Sequence, residues 1–533
     1  MRANNDNQID QIVNGASIQF NWNFEKHKFM VGASIDAASA DYSNTSQLGF
    51  LDANRKAYLD PAQANPQFAG AFVPLANNDF EGINTTKSLY FSETWTPVDT
   101  WHFNASGRYN DTQTKNKIAS RSGLANYSIV DLPGVPDNYN LCPNGNCSNV
   151  SKNYRLIQLN NTLNAAETEK FSYYSFNPSL GATWQAKENL NLFANWAKGT
   201  RTPSVIELGC AFDKTPTPAG MTDTDGDGIT DTPIFVPKSI AENRQCTLPT
   251  TLSGDPYLPQ IKATTYDVGM RGTWGDSLQW NLGAYQTDLK DDIYFVSVGN
   301  GAGFFNTIGK TRRRGLEAGL SGKKDKWGFS LNYGLTDATF QDNFLMLSED
   351  NSSSSYVIGY GNVIEVKKGN RMPGVPLHNL NASISYEVTP QWQVGLTAVA
   401  HSESFVRGNE NNQHKQGVIR RVIGTDPLTG NVVTTPATTN PGTVPAYATF
   451  NFQTSYKFNQ EWTVSMLVNN VFDKKYFSAG RLGHNQFSPS ISGAIGPDGY
   501  NHNSDDWLST NFISPGAPRG VWISLNWQFD KQK

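Results

Sequence analysis

The densest set of metal-type ligands in the 533-residue chain is Asp223-Thr-Asp-Gly-Asp-Gly-Ile-Thr-Asp231. It puts the carboxylates of Asp223, Asp225, Asp227 and Asp231 at relative positions 1, 3, 5 and 9, with a glycine at position 6. That spacing suits oxygen ligands wrapped around Ca²⁺, because the glycine permits the sharp turn. The bidentate Glu expected at position 12 is replaced by Ile234. Two readings stand: a structural Ca²⁺ loop, or a solvated acidic turn. The segment lies between Cys210 and Cys246, and a disulfide there would restrict the unfolded loop by roughly 3–4 kcal/mol in the chain-entropy account. Cys142 and Cys147 form a second close set, in Cys-Pro-Asn-Gly-Asn-Cys. Two local disulfides outside the cytosol are the economical reading, since a zinc site would need ligands to converge from two loops.

A second polar concentration is His401-Ser-Glu-Ser-Phe-Val-Arg-Gly-Asn-Glu-Asn-Asn-Gln-His414. Arg407, Glu410, Asn412 and His414 in it are candidate ligand contacts of a binding vestibule, against the alternative of a solvated loop. The aromatics Phe344, Tyr356, Tyr360, Phe477, Phe487, Tyr500 and Trp507 either contact a ligand or pack the loops around it. No catalytic set emerges. His378, His401, His414, His484 and His502 are scattered, with no His-Glu-x-x-His pattern, nucleophile elbow or glycine-rich phosphate motif, so an enzyme is not indicated. A net charge of −4 and the absence of a basic stripe with interleaved aromatics give no support to nucleic-acid binding. Arg312, Arg313 and Arg314 read as lumen or rim charge within a strand.

The elements that must carry these residues are strands. In Gly520-Val-Trp-Ile-Ser-Leu-Asn-Trp-Gln-Phe529, Val521, Ile523, Leu525, Trp527 and Phe529 fall on one face, while Ser524, Asn526 and Gln528 fall on the other. The same alternation recurs in Leu190–Trp196, Leu278–Ala284 and Trp462–Val468. Segments of about ten residues match a tilted transmembrane strand and exceed the usual soluble one. No run of about 18 apolar residues exists to form a transmembrane helix. The expected fold is all-β: a transmembrane antiparallel β-barrel with long extracellular loops. Strands are expected near 15–24, 27–37, 84–97, 100–112, 170–184, 189–199, 261–275, 277–290, 303–322, 325–340, 375–388, 390–404, 444–458, 460–470 and 519–529.

Short connections near Glu25, Val98, Lys187, Gly275, Lys323, Thr389 and Asn459 alternate with long ones over 38–83, 113–169, 200–260, 341–374, 405–443 and 471–518, and a shorter one at 291–302. Outer-membrane barrels place short turns in the periplasm and long loops outside. Fifteen strands would put residues 1–14 on the extracellular side, whereas bacterial barrels of this kind have even strand numbers. The start, Met-Arg-Ala-Asn-Asn-Asp-Asn-Gln, also lacks the apolar core of a secretory signal. The chain is thus expected to be a C-terminal portion, a partial single barrel domain over 1–533.

Several segments resemble TonB-dependent outer-membrane receptors. Gly199, Arg201, Pro203, Ser204, Glu207 and Leu208 match a Gly-x-Arg-x-Pro-x-x-x-Glu-Leu approach to a loop. Thr265–Gly272 is similar to the strand that follows, and Asn306, Gly309, Arg314, Gly315 and Glu317 fit an Asn/Gly strand leading to Arg-Gly-x-Glu. Val468-Asn-Asn-Val-Phe-Asp-Lys-Lys-Tyr476 and Pro518-Arg519 complete the set. These motifs read as scaffold features. The resemblance implies a twenty-two-strand barrel, of which the last fifteen strands are present without plug or signal peptide. It also implies contact with outer-membrane lipid, active uptake of a small ligand such as a ferric siderophore, and coupling through the missing plug to a TonB-ExbB-ExbD complex. A passive outer-membrane pore, or a non-functional receptor fragment, is the alternative. The family often ends on an aromatic, whereas Asp530-Lys-Gln-Lys533 follows Phe529 here.

Overall fold

A computed structural model of the chain describes residues 2–52, 56–59, 74–120, 127–131, 155–159, 165–208, 216–222, 231–237, 258–275, 277–298, 302–357, 361–418, 422–425, 432–434, 437–490, 499–501 and 507–528, with a few isolated positions besides. Fifteen long strands form one antiparallel sheet in strict chain order. They are β1 (Arg2–Asn23), β2 (His27–Leu51), β3 (Leu75–Val98), β4 (Trp101–Ser120), β5 (Glu167–Lys187), β6 (Leu190–Arg201), β7 (Ile261–Trp274) and β8 (Leu278–Lys290). The rest are β9 (Thr311–Lys324), β10 (Trp327–Phe340), β11 (His378–Thr389), β12 (Trp392–His401), β13 (Tyr447–Lys457), β14 (Trp462–Asn469) and β15 (Gly520–Trp527). Each strand pairs with its neighbours in sequence, and among the described residues β1 and β15 do not pair with each other. All fifteen expected strands are present.

Two boundaries differ from expectation. The strands β1 to β4 reach well beyond the expected segments toward the long-loop end. Their outer parts are rich in Asn and Asp, which are poor strand formers. Besides the backbone ladder they are held by side-chain bonds: Tyr42 donates to Asn7 at 2.7 Å, Asn44 to Asn7 at 2.7 Å and Asn77 to Asn44 at 2.7 Å. The expected strand 303–322 is two elements, a hairpin arm Ala302–Thr307 and β9, separated at Gly309, whose φ of 81° is left-handed.

The period-two pattern sorts side chains to two faces, with register shifts at Asn44/Thr45, Trp95/Val98, Gln185/Lys187 and Glu387/Thr389. On the outer face Ala284 opposes Val268 and Leu316, Leu316 opposes Leu335, Ile384 opposes Leu396, and Met466 opposes Ile523. These residues are exposed in the isolated chain, Ile523 by 73% and Val268 by 53%, so a continuous apolar wall meets the surroundings. At the short-turn end the wall finishes in indoles: Trp101 stacks on Trp184 at 5.4 Å, Trp462 on Trp527 at 5.1 Å, and Trp327 meets Tyr386 at 4.6 Å. The inner face is a polar ladder. Ser106 meets Ser179 at 2.7 Å, Asn195 donates to Asp267 at 2.9 Å, and Arg271 donates to Asn191 at 3.1 Å.

Candidate functional site

Four connections at the long-loop end fold onto one another above β8 to β15. They are the hairpin Ile293–Val298/Ala302–Thr307, the three-stranded sheet Phe344–Leu347/Gly361–Val366/Ser355–Val357, the segment 402–446, and the hairpin Phe477–Asn485/Leu508–Pro515. Apolar side chains cement them. Val296, Ile308, Phe340, Met346, Ile364 and Val366 make one buried cluster, while Val406, Val444 and Leu482 make another.

Between the clusters lies a buried polar network centred on 408–414. Glu410 has no exposed surface; it accepts from the Gly408 amide at 2.9 Å and from the Tyr294 hydroxyl at 3.1 Å. Burial pushes its carboxyl above the usual carboxylate range, against the lowering effect of these donors and of Arg407. Burial and the Glu410 charge likewise push Tyr294 up. Asn412, at φ 56°, accepts from the Arg371 amide at 2.6 Å and donates to the Arg371 carbonyl at 3.0 Å. His414 takes the Ser352 amide on Nδ1 at 3.0 Å and sits 3.1 Å from the Asn440 carbonyl through Nε2. The structure therefore places Glu410, Asn412 and His414 inside the assembly, where they bind loop to loop. Arg407 differs: its guanidinium lies over the rings of Phe295 and Tyr294, at 5.0 and 5.7 Å, on an exposed residue. It is the candidate contact that faces outward.

Of the aromatics, Phe344 packs on Phe340 at 5.2 Å, and Phe477 packs against the second cluster. Phe487, Tyr500 and Trp507 meet edge to face at 6.1 and 5.9 Å, and Tyr356 is 71% exposed. Tyr360 lies outside the described residues. A pairing that sequence reading missed joins this region: His484 Nδ1 lies 2.6 Å from Asp350, and Nε2 lies 3.5 Å from Glu349. These carboxylates raise the imidazole pKa to about 9, so it carries charge at neutral pH.

The Gly-x-Arg-x-Pro stretch acquires a clear structural role. Arg201 holds Glu207 through two bonds of 2.7 and 2.8 Å. Ser204 Oγ accepts from the Glu207 amide at 3.1 Å, and Glu207 accepts from the Ser204 amide at 2.8 Å, a reciprocal cap on the short helix Val205–Leu208. Burial raises the Glu207 carboxyl pKa, but Arg201 and Ser204 outweigh it and the net shift is downward. The helix folds onto the inner face: the Val205 carbonyl accepts from Asn116 at 2.9 Å, Leu208 is fully buried, and Val205 lies against Gly82. A capping box is visible in Ser204-x-x-Glu207, but which face would receive the helix is not.

The strand-exit motif is equally structural. Asn470, at φ 49°, donates to the carbonyls of Lys474 and Ala517 at 2.9 and 3.1 Å, and Asp473 accepts from the Arg519 amide at 2.9 Å. Together they tie the exit of β14 to the start of β15. Arg312 pairs with Asp288 at 2.6 Å and Arg314 with Asp337 at 3.1 Å on the outer face, while Arg313 turns inward toward Asp292 at 3.7 Å. The arginine row thus divides between the two faces. Asp223, Asp225, Asp227, Cys142, Cys147, Cys210 and Cys246 lie outside the described residues. Asp231 is exposed at the foot of the hairpin Pro216–Thr222/Thr232–Pro237, which makes 223–231 its connection.

The family model for "TonB dependent receptor-like, beta-barrel" matches residues 2–471. A protein described as "Probable TonB-dependent siderophore receptor PiuA" from Acinetobacter baumannii is 23% identical over 225 residues, covering 42% of this chain and 24% of that protein. The crystal structure of the siderophore receptor PiuA from the same species superposes with a TM-score of 0.56 at 13% identity, covering 98% of this chain and 56% of that one. The closed form of the ferric-catecholate import receptor Fiu from E. coli K12 gives 0.52 at 15% identity, covering 98% and 55%. The chain thus spans about half the length of these solved receptors. At such identities they establish the fold, and the family model establishes the lineage. With the sheet, the loop assembly and the strand motifs in agreement, the chain belongs to the TonB-dependent receptor β-barrel family, whose members are transport receptors rather than enzymes.

Proposed function

We propose that the chain forms part of an outer-membrane receptor that takes up a ferric siderophore actively, its plug being pulled by the TonB-ExbB-ExbD complex. The observation that carries this reading is the family match over 2–471, combined with an apolar outer wall that ends in indoles. An aromatic girdle around an apolar band is what a bilayer interface selects. The names of the relatives, a siderophore receptor and a ferric-catecholate importer, support iron complexes as ligands. Arg407 suits anionic complexes such as ferric catecholates, since a guanidinium already placed over two rings and bonded to the Phe295 carbonyl loses little entropy on binding an anion.

Among the described residues β1 and β15 each pair with a single neighbour in the main sheet, which favours the receptor reading over a passive pore, because a sheet with two free edges has no closed wall. In the same reading the Asp223–Asp231 connection takes Ca²⁺, and Cys142–Cys147 and Cys210–Cys246 form disulfides. Calcium titration and thiol counting under denaturing conditions address those two points. For the main reading, the gene is deleted and growth is followed under iron chelation with ferric catecholate, ferric hydroxamate and ferric citrate supplied singly. Growth on at least one complex should require both the receptor and TonB, and Arg407→Ala should raise the concentration needed about tenfold. Equal growth of the deletion strain on all three would remove the siderophore assignment; conductance across a planar bilayer would then decide for a pore.

A further inference from the structure

Arg407 is exposed between two buried residues, Val406 and Glu410. Its backbone is stitched to the hairpin Phe477–Asn485/Leu508–Pro515: the Arg407 amide donates to the Gly480 carbonyl at 3.0 Å, and the Arg407 carbonyl accepts from the Leu482 amide at 2.8 Å. Its side chain crosses to a different hairpin, Ile293–Val298/Ala302–Thr307, where the guanidinium lies over Tyr294 and Phe295 and Nη2 donates to the Phe295 carbonyl at 3.1 Å. That bond uses one of the five guanidinium N–H groups. Among the described residues no carboxylate forms an ion pair with Arg407.

Glu410 is bonded to both supports of this arginine. Oε2 accepts from the Gly408 amide at 2.9 Å, which belongs to the peptide bond leaving Arg407, and Oε1 accepts from the Tyr294 hydroxyl at 3.1 Å. The Tyr294 ring is set edge to face against the fully buried Phe340, with centroids 5.6 Å apart. A buried carboxylate is costly unless its oxygens are satisfied. Here it supplies two acceptors to two donors, where a glutamine would supply one. The acid thus holds the backbone beside Arg407 and the ring beneath its guanidinium without occupying the guanidinium itself.

We propose that Tyr294 and Glu410 are positioning residues for ligand recognition. They hold the Arg407 guanidinium in one plane, so that its remaining N–H groups meet a planar pair of anionic oxygens, a carboxylate or a catecholate, two at a time. Guanidinium forks match such pairs bidentately, and a fork fixed in advance loses less entropy on binding than a free one. The proposal rests on the reading of Arg407 as a ligand contact given above.

The test uses the intact receptor, purified in detergent. Its first readout needs no ligand: the rate at which phenylglyoxal modifies Arg407, followed by peptide mass spectrometry. Tyr294→Phe keeps the ring and removes the hydroxyl, and should speed modification about fivefold as the side chain is released. Tyr294→Leu, which removes the ring as well, should speed it further. Tyr333→Phe, on β10 and bonded to His378 at 2.8 Å, should leave the rate unchanged. The second readout is affinity for a ferric tris-catecholate, with an uncharged ferric trihydroxamate beside it. Tyr294→Phe should weaken the anionic complex about fivefold, leave the uncharged one unchanged, and cost nothing more in an Arg407→Ala background. Glu410→Gln should repeat the Tyr294→Phe pattern in both readouts. Equal modification rates in Tyr294→Phe and wild type would overturn the proposal. Additive losses with Arg407→Ala would overturn it too, by making Tyr294 a direct contact, and equal weakening of both complexes would make its role merely structural. Undiminished binding of the anionic complex by Arg407→Ala, with faster modification in Tyr294→Phe, would instead overturn the ligand reading of Arg407 and leave the tether standing.

Discussion

Glu207, Glu410 and His484 show how single side chains convert loop sequence into fixed structure. Replacing Glu207 with Ala removes the cap and strands Arg201, so a cost of about 1 kcal/mol in local stability is expected. Hydrogen exchange over 204–208 should accelerate while β6 is unchanged. The carboxyl pKa of Glu207 is lowered on folding, so its contribution is present above its unfolded value and is lost as pH falls through the folded one. The same amides should therefore lose protection in acid below about pH 4. His484 has the opposite sign. Its folded pKa of about 9 exceeds the unfolded value, so the contact with Asp350 and Glu349 is intact below about pH 6.5 and fades as pH rises through 9. Exchange in Phe344–Leu347 and Leu508–Pro515 should rise between pH 7 and 10 in wild type and show no such step in His484→Ala. Glu410→Ala should cost about 1–3 kcal/mol, because the Gly408 amide and Tyr294 hydroxyl are left buried without an acceptor.

Strands obey period-two patterning wherever side chains alternate, and glycines mark where neighbours need the space. At Gly315 an added Cβ would meet the Leu335 carbonyl oxygen, and the Tyr285 ring already covers the position at 2.9 Å. Gly315→Ala should cost about 1–3 kcal/mol by overpacking. A lower midpoint in heat-modified gel mobility would show it, and an unchanged midpoint would mean the β9–β10 pair relaxes without loss. Strand existence was legible from alternation alone, since each segment carries its own face pattern. Strand ends were not. The outer halves of β1 and β2 are rich in Asn, Asp and Ser, and besides the backbone ladder they are joined to each other and to β3 by Asn–Asn and Tyr–Asn bonds between residues more than thirty positions apart.

At the scale of the whole molecule, β1 and β15 each have one edge without a strand partner among the described residues. Purified alone, the chain is expected to associate through those edges, which are templates for further pairing. Size-exclusion chromatography with light scattering would detect this, and a stable monomer would show that the edges are covered by other means. The family was legible from the resemblance of motifs such as Val468–Tyr476, while alternation and connection length, by themselves, determined the fifteen strands, the end carrying the long loops and the two faces of the wall. These properties are local and repeat every two residues, so any segment reveals them. Only the tertiary structure decided that Glu410, Asn412 and His414 are consumed inside the loop assembly, and that the helix Val205–Leu208 folds onto the inner face. Each depends on burial or register among segments that sequence does not place side by side. Polarity tells which residues need partners, but three-dimensional packing assigns whether the partner is a neighbouring loop, water or a ligand.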